Sequence, residues 1–385
     1  LTMSSQIAFE QKSATSAVKS TQAYYAAESG IEDALQILRH NSQFTSAAYT
    51  LNVNGATATV NIPIIIAGAR AVTSQGNNRS MIRSIQTVYS MNSQNVTFYY
   101  GVQTGDGGLV MTHILGEVMG NVFSSGNITG LGTIDNNVVV SGNGNYIQGV
   151  HIKGNAMAYA CDNIATIIDG NLTYVSPGGS NSCTVTGTVS TQSQPISSLP
   201  LPIPQNQIDA WKNDAATVQV ITGDVIKSGT NSMGPVKITG SLTVSGTFTL
   251  TGTIYVQGNI NISNTTTIKL DSSYGPLGGV LISDGTITTG NNNTFSGSGQ
   301  AGSYLLALST SIADTAISFG NGTTGGAFYA SDGGIDVPNN VSALEITGKK
   351  LTIQKAIIQS SVGTVNIFFS SGPAGGWKVV SWTEE

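Results

Sequence analysis

The side chains past residue 98 that could act as general acids, bases or cation ligands are sparse, and those of the solenoid include Asp106, Asp135, Asp162, Asp169, Asp271, Asp284, Asp314, Asp332 and Asp336. Paired carboxylates across a glycosidic bond would serve hydrolysis, and clustered aspartates beside a basic residue would serve a lyase. Most of these aspartates instead stand next to Gly or Asn, the company kept by turn residues. The best-placed pair is Asp332 and Asp336 in Asp332-Gly333-Gly334-Ile335-Asp336, where two carboxylates across a Gly-Gly turn could hold a cation. Turn chemistry is the plainer account. His40, His113 and His151 lie far apart and have no Cys or His companions. His40 is placed to cap the end of a helix, where a cation or polar side chain is favoured. Gly105-Asp106-Gly107-Gly108 lacks the rest of a phosphate loop, and no serine elbow stands beside a usable histidine. No catalytic, cofactor-binding or metal-binding residue is therefore assigned, and the chain reads as a non-enzyme that needs no cofactor.

Cys161 and Cys183 have no metal-ligand spacing. They form one disulfide in an oxidising compartment or remain two buried thiols. The composition favours the disulfide. Charged residues are 9% of the 385, against about a quarter in ordinary soluble domains. With 47 glycines and a polar set of Ser, Thr and Asn, the surface is wetted by hydroxyls and amides. Extracellular repeat proteins, adhesins and fibre subunits have such surfaces. A net charge of -5, thinly spread, offers no basic face to nucleic acid and no polybasic patch to a membrane. N-x-[ST] triplets such as Asn78, Asn171 and Asn264 permit glycosylation without requiring it. No signal peptide is visible and no apolar run is long enough to span a bilayer. The start at Leu1, without Met, reads as processed or truncated.

The elements that must carry these residues fall into three regions. Residues 1–42 read as a helical stem. Met3, Ile7, Ala14, Val18 and Tyr25 recur in roughly heptad steps, and Ala27, Ile31, Ala34, Leu35 and Leu38 form a stronger stripe. Residues 43–97 switch to alternation and predict about four antiparallel strands packed on the helix, with turns at Asn54-Gly55 and Gly76-Asn77-Asn78. Residues 98–385 read as a repeat array, interrupted at 199–216 by a Pro-rich linker and a short helix with Ile208, Trp211 and Ala215 on one side.

The repeat is clearest in "GPVKITGSLTVSGTFTLTGTIYVQGNINIS", where Gly234, Gly240, Gly246, Gly252 and Gly258 fall at every sixth residue and Asn264 takes the next slot. Between them apolar residues alternate, as in Val236/Ile238 and Leu242/Val244. Short strands joined by glycine corners build a parallel β-helix, about three strands to a coil. Asn also tolerates the left-handed corner. Sandwich strands recur at about eight to twelve residues. The fold class is thus mainly β: a long N-terminal helix, a small antiparallel sheet, then a β-solenoid.

"AYYAAESGIEDALQIL" (Ala23 to Leu38) resembles the helix of PilX-like type IV pilus assembly proteins, through Ala26, Ala27, Glu28, Ser29 and Gly30. "FYYGVQTGDGGLVM", "IDAWKNDA", "GTIYVQGNINIS" and "SSGPAGGWKVVSW" resemble a bacterial group that joins such a start to a β-helical body. The resemblance implies a pilin-like stem with a membrane-embedded apolar half-helix before this segment, and a leader removed at a Gly. Leu1 to Lys19 is too polar for that half-helix. Either the apolar part lies upstream of Leu1, the only route to a membrane, or the helix is used differently.

The expected role is a structural subunit of an extracellular, type IV pilus-like filament on a prokaryotic surface. Its partners are copies of itself or other pilins, met through Ile7, Val18, Tyr24, Tyr25, Ile31 and Leu35. Packing on the chain's own sheet competes for Ile31 and Leu35. A minor pilin or tip adhesin that binds surface glycans is the alternative, with Tyr146, Tyr159 and Tyr174 as candidate aromatics. A polysaccharide lyase or hydrolase is the weaker one.

Overall fold

The computed structural model describes residues 2–40, 44–64, 69–91, 93–359, 365–370 and 377–384. The chain divides into two units, 1–92 with 373–385 and 93–372.

In the first unit α1 (Thr2–His40) packs on a sheet of β1 (Ser46–Val53), β2 (Ala56–Ile62), β3 (Ala69–Asn78) and β4 (Met81–Met91). Alternation drives the sheet. Ala56, Ala58, Val60 and Ile62 of β2 are buried, and the residues between them are exposed. Small residues let the helix sit close. Ala23, Ala26, Ala27 and Ala34 are fully buried. A Cβ on Gly30 would overlap the Ser74 hydroxyl, and one on Gly76 would overlap the Ala23 carbonyl. Asn54 and Gly55 form the first hairpin turn with φ of 48° and 82°. The second turn is not at Gly76-Asn77-Asn78. Those residues stay in β3, Gly76 making room for the helix, and Arg79-Ser80 turn with φ of 47° and 72°. There the Ser80 amide donates to the Asn77 side chain at 3.1 Å. The sheet has a fifth strand, Trp377–Glu384, antiparallel to β4. The 98–385 boundary is corrected accordingly: the last strand leaves the solenoid because its partner is β4.

The second unit begins with β5 (Ser93–Phe98), paired antiparallel with Val365–Ser370 as a two-stranded ribbon. It continues into β6 (Val102–Met111), the first coil. All ladders of the solenoid are parallel and fall into three columns. Val102 pairs with Val122 in the first and Leu109 with Ile128 in the second. Glu117 pairs with Thr133 in the third. The six-residue rhythm maps onto this geometry: Val236 lies against Ile254 and Leu242 against Ile260, three repeat units on. One continuous core of Val, Ile, Leu and Phe fills the interior.

The corner residues divide their labour. Gly234 and Gly246 take φ of 111° and 87°. Gly240 and Gly258 do not need positive φ; they stack. Gly258 donates its amide to Gly240 at 3.0 Å, and a Cβ on Gly258 would come within 2.8 Å of the Gly240 carbonyl. The next residue is often Asn, whose side chain caps the neighbouring coil. Asn137, Asn155 and Asn171 donate their amides to the Asn121, Asn137 and Asn155 side-chain oxygens at 2.9–3.1 Å. The Asn264 side-chain oxygen likewise accepts from the Asn291 amide at 2.7 Å, and Thr265 rather than Asn264 takes the positive φ. Asn171 and Asn264 thus use their amide oxygens within the fold, and Asn78 is buried.

The coils do not follow one another in chain order. Coils from Val102 to Gln192 run away from β6. The chain returns along the outside through α2 (Gln205–Val218), restarts at Val220 and climbs back. It closes when Glu345–Ile353 pairs parallel with the free edge of β6, Ile346 against Val102 and Leu351 against Leu109. The two end coils carry polar residues at inward positions. Lys227 and Asn231 stand in register with buried Val244 and Phe248, and Thr191 with Tyr174. Inward polar residues are how open strand edges are protected from pairing. The Cys161–Cys183 disulfide forms. It ties the last coil before α2 to the coil beneath.

Candidate assembly surface

The sheet claims one face of α1 and leaves the other open. Ala23, Ala27, Ile31, Ala34 and Leu38 are buried against it. Ile7, Val18 and Tyr25 are 56%, 57% and 57% exposed on the other side. Tyr24 is half-buried and Leu35 packs partly on the core. Ile31 is fully buried, so it is corrected from presented contact to core residue. Met3 and Phe9 are also exposed, and Phe9 lies off the heptad stripe that singled out the others. Nearly all side chains described before Val18 are exposed, so no part of the described unit packs on the first turns.

The Ala26-Ala27-Glu28-Ser29-Gly30 segment has a local explanation. Ala26, Ala27 and Gly30 face the sheet at close range, Glu28 and Ser29 are half-buried, and the Ser29 hydroxyl donates to the Tyr25 carbonyl at 2.8 Å. Polar locks fix the helix beside it. Asn78 donates to Gln22 at 2.5 Å, and Arg83 donates to Ser20 at 2.8 Å while pairing with Glu384 at 3.2 Å. Tyr49 donates to Asp33 at 2.9 Å; burial first, then that carboxylate, push its pKa up. Arg70 is buried, donates to the Phe44 carbonyl at 2.9 Å, and is lowered by burial to about 10. The His40 side chain lies outside the described residues.

On the solenoid, folding gathers charges that the sequence scatters. The outward face of the third column carries Glu117, Asp135, Lys153, His151 and Asp169. Lys153 lies 2.7 Å from Asp135 and 4.0 Å from Glu117, and His151 lies 3.0 Å from Asp169. The hydrogen bond with Asp135 holds the Lys153 pKa up. Each of these carboxylates already has a cationic or imidazole neighbour, on a flat, half-exposed face. The coil period of the repeat was the available signal; residues one coil apart become neighbours. Asp332 and Asp336 flank the corner where Ala327–Val337 passes from first to second column, and Asp332 accepts from Ser331 at 2.7 Å. Asp106 sits at the matching corner of β6. Among the described residues no three His, Cys, Asp or Glu side chains are arranged to hold a metal. Tyr146, Tyr159 and Tyr174 are not brought into a row: Tyr146 is in the second column, Tyr174 packs on the core of the first, and Tyr159 lies between strands.

A second polar cluster pins α2. Lys212 donates to Asp284 at 2.6 Å, Tyr255 donates to the other oxygen at 2.5 Å, and Thr310 adds a third bond at 2.9 Å. Burial would raise the Asp284 pKa, but these donors outweigh it and hold it down. Tyr255 is pushed up to about 12, first by burial and then by Asp284. An open recess of about 400 Å³ lies at the corner between third and first columns. Tyr304, Ser296, Ser342 and Gln359 line it without a charged side chain.

No family model matches the chain. No curated protein matches it. Among solved structures it is similar to the crystal structure of the competence-associated pilin ComZ from Thermus thermophilus. Identity is 10% and the TM-score 0.27, over 96% of this chain and 98% of that one. A likeness this slight carries no argument about role.

Proposed function

We propose that the chain is a structural subunit of an extracellular, type IV pilus-like surface filament, not an enzyme. It assembles through α1 with copies of itself or other pilins and displays the β-helical body outward. The observation that carries this reading is the open stripe of Ile7, Val18 and Tyr25, opposite the sheet-facing side of α1. An isolated helix of this kind is marginal in water, and a seam of apolar residues in heptad steps suits it to another helix. No described helix is long and apolar enough to cross a membrane.

The test is assembly in the native host. Val18→Glu and Tyr25→Glu change exposed positions, so the purified variants keep the wild-type circular dichroism and thermal midpoint. Surface filaments containing this chain, counted by immunogold electron microscopy, are expected to be lost. Undiminished filaments would remove the stem from assembly.

The uncharged recess beside Tyr304 favours one alternative, a minor or tip subunit that binds neutral glycans. Labelling restricted to filament tips, together with glycan binding abolished by Tyr304→Ala, would select it. Labelling along whole fibres selects the structural subunit. The charge-paired face of Glu117, Asp135 and Lys153 gives the polysaccharide-cleaving reading no free acid–base pair.

A further inference from the structure

The outer surface of the first column is buried beneath the returning segment and the ribbon. Register carries one outward row from Val280 to Leu306, Ala327 and Glu345. The first three lie in an apolar cluster with Val96 and Phe98 of β5, Ile367 and Phe369 of its partner strand, and Trp211 of α2. The fourth position is a carboxyl, only 2% exposed. One of its oxygens accepts from Thr347 at 2.6 Å; the other has no hydrogen-bond partner among the described residues. No cation is paired with it there.

Its place in the fold is specific. Glu345 opens the strand that docks on β6, and the next amide, Ile346, donates to Gly101 at 3.1 Å. Gly101 follows the ribbon strand β5 after Tyr99 and Tyr100. The carboxyl therefore stands where the two coil arrays meet and where the ribbon joins them. A native buried polar atom without a partner calls for an explanation, and an unpaired buried charge is costly enough that the group stays neutral instead.

We propose that Glu345 is a proton-dependent latch: the neutral acid lets the ribbon and the 200–203 segment that leads into α2, held there by the bonds from Gln103 to the Pro200 carbonyl and from Tyr329 to the Ile203 carbonyl, close over the seam, and its ionisation opens them to water. Burial raises the Glu345 pKa well above the ordinary glutamate value, against a smaller opposing effect of the Thr347 bond. The sign follows. Stability from this site is full below the ordinary value and is lost as pH climbs from there through the raised one. The other titratable groups on the elements packed here act elsewhere. Tyr329 is raised chiefly by burial, with smaller effects of Asp332 and Glu345, and its hydroxyl donates to the Ile203 carbonyl at 2.9 Å. Tyr100 is raised by burial alone. Lys212 is engaged with Asp284, and that clamp weakens at acid pH, the opposite direction. Asp106, Lys349 and Lys350 are at the solvent-facing corner.

Trp211 is the built-in reporter, 2% exposed with its ring 5.6 Å from Phe369. The experiment uses the full chain with Trp377→Phe and Trp382→Phe, and follows acrylamide quenching from about pH 5 to about pH 9. Quenching of Trp211 is expected to rise several-fold across this range. In a Glu345→Gln background it is expected to stay flat, and the thermal midpoint of that variant to lose the matching decline. An equal rise in both proteins, or no rise in the parent, overturns the latch. Glu345→Leu guards against a folding artefact: it too must stay flat while retaining the parent circular dichroism. None of these readouts depends on whether the chain enters a filament.

Discussion

Lys212 and Asp284 are 72 residues apart in the chain and 2.6 Å apart in space, the clamp that holds α2 to the outside of the solenoid. Removing one partner strands the other in a half-buried site. Lys212→Met is expected to cost about 1–2 kcal/mol and to raise protease sensitivity at 199–219 before anything else. Limited proteolysis with mass-spectrometric mapping checks the order.

The same clamp fixes an acid limit. The lowered Asp284 pKa means that its contribution is complete above the ordinary aspartate value and is lost as pH falls through the lowered one. Acidification should therefore release α2, and Asp284→Asn should make Trp211 quenching insensitive to acid.

Gly30 and Gly76 set the distance between helix and sheet. Gly30→Ala is expected to lower stability by about 1–3 kcal/mol, since the added methyl meets Ser74 and Val60. Gly76→Ala should cost more, because it meets backbone instead of a movable side chain. Chemical denaturation of the two variants ranks them.

The disulfide staples a coil that has a neighbour on one side only. Cys161→Ser with Cys183→Ser should leave most of the solenoid intact and expose residues 180–192 to exchange, at a cost of up to about 3 kcal/mol. Hydrogen exchange across that segment distinguishes this from global loss.

Asn155 bridges two coils, donating its amide to Asn137 and accepting from Asn171. Asn155→Ala removes the acceptor and should cost about 1 kcal/mol, whereas Lys153→Ala on the exposed face beside it should cost less than half of that. Thermal midpoints compare the two.

Periodicity exposed most of this architecture. Alternating Val236/Ile238 and Leu242/Val244 fix which side chains enter the core, and the six-residue spacing fixes the coil. The stripe of Ala27, Ile31, Ala34 and Leu38 marked the helix face that meets the sheet. What could not be read was order along the axis. Nothing local in Ile346 or Val102 states that they pair, because any coil of similar width can follow any other. The return of Trp377–Glu384 to β4 was hidden for the same reason, as its alternation suits either sheet. The charged face was missed because Asp135 and Lys153 look like isolated turn residues until the coil period superposes them. Glu345 gave no signal at all: its burial depends on a segment more than a hundred residues earlier in the chain.

The mid-body start of the solenoid has a consequence for how the molecule is made. The first array can wind as soon as residues up to Gln192 exist, each coil templated by the last. The opposite edge of β6 must wait. Its partner, represented by the bond from the Thr112 amide to the Ile353 carbonyl, arrives 241 residues later. Until then a parallel strand edge stays open, the kind of surface on which nascent chains stick to one another. Contacts this distant in sequence also close slowly. The junction that Glu345 opens thus joins the two coil arrays only near the end of synthesis, with just the ribbon strand and the last sheet strand still to follow, and it is the step at which a chaperone would decide the yield.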